Sequence, residues 1–223
     1  MQETISTFEW AVYAIIAVNV LLSWRAFSDM ELFHKLKFHV GEILLQKDYK
    51  RMLTAAFIHV NLTHLLFNMI AFWSFGLMLQ HFMELWQFLV LYFVSLLAGN
   101  LLPLFFHKDN LNYSAVGASG AVSGVVFASI LFYPFGEIIF IFLPFLPIPS
   151  WIFGILYLLY TVYGIDKQSD NIGHEAHLGG ALAGLLLAIG FRLDLAIEHW
   201  WLAIILTILP IVLLVVILKR KSY

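Results

Sequence analysis

The sequence predicts an all-α polytopic membrane protein with seven spanning helices. Three observations carry that expectation. Hydrophobic residues make up 62% of the 223 and charged residues only 12%, against roughly 45–50% and about 25% in a soluble domain. A water-soluble globule of this size could not cover so much apolar surface, because its exterior must still face water. The apolar residues also fall in long runs, several of them near the 20 or so residues that cross a bilayer. Those runs are continuous rather than alternating, which excludes a β-barrel.

Seven stretches qualify: 8–27, 62–80, 85–105, 118–133, 150–164, 175–191 and 199–218. The first, second, third and last are long enough by themselves. The fourth and sixth are shorter and rich in Gly, Ala and Ser, which suits helices buried against other helices rather than against lipid. The fifth starts after Pro144, Pro147 and Pro149, since a proline removes a backbone donor and clashes with the preceding turn. Residues 135–149 then form an interfacial or re-entrant connection. The long polar connection 28–58 mixes charges with Phe33, Leu36, Phe38, Ile43, Leu44 and Leu45, the pattern of short amphipathic helices lying at the interface. The first nine residues hold Glu3 and Glu9 but no Lys or Arg, so a signal peptide is not expected. One membrane domain is expected over 1–223, multi-pass, in a plasma or inner membrane.

Composition narrows the chemistry. The net charge is −2 with twelve Lys and Arg, which leaves no basic surface for nucleic acid. There is no cysteine, so disulfides, thiolate metal sites and a cysteine nucleophile are excluded.

Polar residues inside spans are costly and mark function. They gather in three clusters. His59 to Asn68 opens the second span, with His64 and Asn68 four apart and so on one helix face. Gly117-Ala118-Ser119-Gly120 opens the fourth, followed by Ser123 and Gly124. Gly173-His174-Glu175-Ala176-His177 opens the sixth, followed by Gly180 and Gly184. With seven spans, the second, fourth and sixth begin on the same membrane side, so the clusters converge at one level. Singly, each has a structural reading: His64 and Asn68 as interhelical hydrogen bonds, and the two Gly-xxx-Gly pairs as a packing surface. Together, close contact through Gly120, Gly124, Gly180 and Gly184 sets Ser119 beside His177. A serine with a histidine in reach is a nucleophile with its base. Helix-start N–H groups, exposed to substrate by Gly117, and the side chains of His64 and Asn68 supply donors for an oxyanion.

These residues resemble the rhomboid intramembrane serine proteases: His64-xxx-Asn68 on the second helix, Gly117-Ala118-Ser119-Gly120 on the fourth, Ala176-His177-xx-Gly180-xxx-Gly184 on the sixth. The resemblance covers nearly the whole chain. It implies a six-helix bundle, core about 8–191, with one extra C-terminal helix about 199–218. It implies Ser119 as nucleophile and His177 as base, oxyanion support from His64 and Asn68, and structural roles for Arg51 and His59. No cofactor or metal is implied. The implied partners are transmembrane protein substrates and membrane lipid. Ser123 stands where the family often has an aromatic residue that stacks on the histidine, Gln80 where a glutamate is common, and Lys50 where a tryptophan is usual.

Sidedness is read two ways. Eleven of the twelve Lys and Arg, all but Arg192, lie on the face of the polar clusters, which the positive-inside rule assigns to the cytoplasm. The family resemblance opens that face outward.

From Ser119 to Tyr133 the fourth span is about 22 Å long, short of a core of about 30 Å, so Ser119 is expected below the membrane surface in a wet cavity. A substrate helix must unwind before it is cut, which favours Gly, Pro or small residues near that side. The fifth helix, with Trp151, Phe153 and Leu158, is expected to be loosely tethered and to serve as a lateral gate. Two other function classes are a non-proteolytic membrane-protein scaffold and a small-solute transporter, though repeated halves and paired broken helices are missing. A metalloprotease would use His174-Glu175-Ala176-His177, but its histidines are three apart rather than four.

Overall fold

The computed structural model describes residues 5–140, 143–167 and 172–221. In chain order it contains α1 (Thr7–Ser28), α2 (Met30–Leu36), β1 (Phe38–His39), α3 (Val40–Leu45), α4 (Arg51–Thr54) and α5 (Leu62–Leu79). There follow α6 (Leu85–Phe106), β2 (Ser114–Ala115), α7 (Ser119–Phe132), β3 (Glu137–Phe140), β4 (Leu143–Pro149), α8 (Ser150–Lys167), α9 (His174–Phe191), α10 (Leu193–Glu198) and α11 (Trp200–Lys221). All seven expected spans are helices. Of these, α1, α5, α6, α9 and α11 are long and apolar enough to cross a membrane. The chain is an integral, multi-pass membrane protein.

Local chemistry sets the helix starts. Ser6 and Glu9 close a capping box on α1, and Asn61 accepts the His64 N–H at the start of α5. At 14 residues α7 is too short to span alone, and it is buried from Gly120 to Phe132. It is the central post of the bundle, wrapped by α5, α6, α8 and α9. Outward faces carry Leu21, Trp24, Phe67, Trp73, Phe105 and Val212, as lipid contact requires.

Three helices meet backbone on backbone. A Cβ at Gly99 of α6 would lie 3.0 Å from Gly120 Cα and from the Ala176 carbonyl oxygen, and one at Gly179 2.6 Å from the Ala98 carbonyl. Gly180 of α9 lies against the carbonyl of Gly120, and Gly184 against Gly124. Such approach is open only to residues without a side chain.

The 28–58 connection is ordered around its own core of Phe38, Val40, Ile43, Met52 and Ala55. Arg51 knots it. Its guanidinium donates to the carbonyls of His34 (2.7 Å) and Lys37 (3.0 Å) and pairs with Asp48. Asn100 of α6 donates to the Met52 carbonyl at 2.7 Å, tying the loop to the bundle.

The all-α class holds, with two short antiparallel pairings beside the helices: β1 pairs with β2, joining the long loop to the segment before α7, and β3 pairs with β4, with Ile138 opposite Ile148. Pairing satisfies backbone groups that an irregular connection leaves open. One expectation needs correction: α8 is not loosely tethered. Ser150 donates through both its N–H and its hydroxyl to the Gly136 carbonyl (2.7 Å each), Trp151 packs edge-on to Trp201 of α11, and Leu158 is buried.

Candidate active site

Ser119 is the first residue of α7 and is half-buried. His177 is in the first turn of α9, also half-buried. The glycine contacts above hold these two helix starts side by side: a Cβ at Gly120 would lie 3.2 Å from Gly99 Cα and 3.3 Å from the carbonyl oxygen of Ala176, one residue before His177.

Gly117 has φ +122°, a left-handed conformation that strains any L side chain. A Cβ there would also lie 2.6 Å from His64 Cε1 and 2.9 Å from its Nε2. Glycine is thus required for conformation and for the room that lets the His64 ring lie against the segment leading to Ser119. The Gly117 N–H donates to the Ala55 carbonyl at 2.9 Å. Asn68 is buried one turn below His64, and its Nδ2 donates to the His64 carbonyl at 2.9 Å. An amide nitrogen has two N–H donors, so this bond uses one of them.

His59 braces the site from behind. It is fully buried, and the Ala118 N–H donates to its Nε2 at 3.4 Å. Its Nδ1 is then the protonated nitrogen and donates to Ser23 Oγ of α1 (2.9 Å), whose hydroxyl donates to the Phe57 carbonyl. Ser23 is a link the sequence left hidden; it is one of several polar residues in the first span, with Glu9, Asn19 and Arg25, and no motif marks it. Burial, with His64 beside it, pushes His59 down from 6.5 to about 3.

A stability prediction follows with a definite sign. The folded chain holds His59 neutral while the unfolded chain protonates it below pH 6.5. The stabilisation is complete above pH 6.5 and falls by about 1.4 kcal/mol per pH unit as pH drops toward 3. Between pH 6.5 and 5 the loss is about 2 kcal/mol. Melting in detergent at both pH values should show a larger drop for the native chain than for His59→Gln; equal drops would contradict it.

In the first turn of α9, Glu175 is buried and its Oε1 lies 3.3 Å from His107 Nε2, while His107 stacks on Tyr113 with centroids 3.7 Å apart. Burial, with Glu175 adding, pushes the Tyr113 hydroxyl up to about 12. Glu175 thus engages the loop before α7. Among the described residues no three His, Asp or Glu are grouped to hold a metal ion.

Ser123 of α7 is hydrogen-bonded to Tyr157 of α8 (3.0 Å), and Tyr157 stacks on His177. Tyr157 sits beside Leu158 in an apolar run and bears no motif, so no local signal in the sequence marks it.

The Rhomboid domain family matches residues 46–193. The chain is 30% identical to Rhomboid protein 1, mitochondrial, of Saccharomyces cerevisiae, over 84% of this chain and 54% of that protein. It is 25% identical to RHOMBOID-like protein 12, mitochondrial, of Arabidopsis thaliana, over 75% of this chain and 53% of the other. It is also 25% identical to Rhomboid protease GluP of Bacillus subtilis, over 70% of this chain and 29% of the other. The chain spans about half the length, or less, of these curated relatives.

Proposed function

The chain belongs to the rhomboid family, and from that premise and the geometry of its site we propose that it is an intramembrane serine endopeptidase. Its substrates are transmembrane segments of other membrane proteins. The observation that carries the reading is the glycine contact of α7 with α9, Gly120 on Gly180 and Ala176, next to Ser119 and His177.

In the proposed reaction Ser119 Oγ attacks the scissile carbonyl carbon and gives its proton to His177. The carbonyl oxygen becomes an oxyanion. Its donors are the N–H groups at the start of α7, which have no intrahelical carbonyl to bind, the His64 ring, and the second N–H of Asn68. His177 passes its proton to the leaving amine as the C–N bond breaks. Water, deprotonated by His177, then splits the ester and restores Ser119. No cofactor takes part. Hydrolysis of a fluorogenic transmembrane peptide in proteoliposomes tests the reading: cleavage blocked by an isocoumarin and unaffected by phenanthroline supports it, and the reverse pattern rejects it.

Asn68 separates chemistry from scaffolding. A donor acting only on developing charge contributes roughly 10²–10³ in turnover. Asn68→Ala should lower kcat by that factor with KM and melting temperature nearly unchanged. A near-normal kcat with a clearly lower melting temperature would make Asn68 a structural residue.

A further inference from the structure

A general base must be held in one orientation to act on its nucleophile. Here one residue reaches both catalytic helices. The Tyr157 ring on α8 stacks on His177 with centroids 5.9 Å apart and planes at 26°, and its hydroxyl lies 3.0 Å from Ser123 Oγ on α7. Ser123 is buried one turn beyond Ser119. The Tyr157 ring is fixed in turn by Phe127 (5.5 Å) and Phe153 (5.8 Å). Its helix is held by α11, through Trp151 on Trp201, and Gly154 faces Leu206 and Ile130.

We propose that Tyr157, anchored by Ser123, is the positioning residue that fixes the His177 ring toward Ser119. The proposal rests on the Ser119–His177 reading. It assigns a use to Ser123, the position where the family resemblance leaves the histidine without an aromatic neighbour on its own side of α7. The ring arrives from a third helix instead. It stacks on the imidazole with the planes at 26° and limits rotation about the His177 side-chain bonds. The packing of α11 on α8 thereby becomes part of the support for the catalytic base.

The test compares the native chain, Ser119→Ala, Tyr157→Leu, Tyr157→Phe and Ser123→Ala in proteoliposomes, reading kcat and KM of transmembrane-peptide cleavage separately. A positioned general base supplies about 10²–10⁴ in rate. Tyr157→Leu should forfeit about ten- to a hundredfold of that in kcat, with KM within about twofold. Tyr157→Phe keeps the ring and should retain at least about a third of kcat. Ser123→Ala removes the same hydrogen bond and should match Tyr157→Phe, again with KM within about twofold. A Tyr157→Leu kcat within about threefold of native, or a Tyr157→Phe kcat as low as that of Tyr157→Leu, overturns the proposal. Should Tyr157→Leu fail to accumulate, Tyr157→Met decides in the same sense. Undiminished cleavage by Ser119→Ala overturns the dyad itself, a result distinct from any outcome at Tyr157.

Discussion

Ser119→Ala is expected to reduce cleavage of a transmembrane substrate to background while leaving the protein folded. The substitution removes one oxygen atom at a half-buried helix start and disturbs no described packing contact, so melting should stay within about 0.5 kcal/mol of native. His177→Ala should fall by about 10²–10⁴, the share of a positioned general base. Combining the two should cost no more than Ser119→Ala alone, because residues that act as one unit are not additive. Cleavage by either single variant at the native rate would remove the serine-protease reading.

A second large effect is expected at Gly180. A Cβ there would lie 2.6 Å from the Gly120 carbonyl carbon and 3.0 Å from its Cα, with the carbonyl oxygen nearer still. Backbone atoms cannot rotate aside as a side chain can, so α7 and α9 must separate. Gly180→Ala should destabilise by about 1–3 kcal/mol, the usual cost of overpacking, and Gly180→Leu by more. Catalysis should fall further than stability does, since a displacement of about 1 Å at a catalytic group costs about 10²-fold. The same helix carries its own control. A Cβ at Gly190 meets nothing within 4 Å, so Gly190→Ala should be neutral or stabilising by up to about 1 kcal/mol. Equal responses at the two positions, read as melting temperature and kcat, would contradict the close-contact description.

The helices were legible because length and apolarity decide them. Burial inside lipid leaves a chain few options besides helices and closed barrels, and the expected spans lie within about three residues of the observed ends, the ordinary uncertainty of helix boundaries. Gly120, Gly124, Gly180 and Gly184 were legible because their four-residue spacing is itself the signature of close helix contact. Their third partner was not: Gly99 sits singly in the apolar run of α6, where nothing in the local pattern distinguishes a contact glycine from a tolerated one. The β3–β4 hairpin was obscured for a different reason. Prolines 147 and 149 argue against a strand in the middle of a sheet, yet both strands of a lone hairpin are edges, where proline is accepted. Tyr157 was missed because its partners are distant, Ser123 34 residues back and His177 on the next helix. Its meaning comes from tertiary packing alone. The structural roles of His59 and Arg51 were readable only through family resemblance. Besides Ser23 and Asp48, their hydrogen-bond partners are backbone carbonyls and an N–H group of other segments, which no side-chain pattern announces.

The most direct measurement is covalent capture of the nucleophile. The native chain in detergent, treated with a fluorophosphonate and digested, should carry one adduct, on Ser119. Labelling should be slowed at least about a hundredfold in His177→Ala, because the base that activates the hydroxyl is gone. An adduct on Ser123 instead of Ser119, or equal labelling rates with and without His177, would contradict a Ser119–His177 dyad.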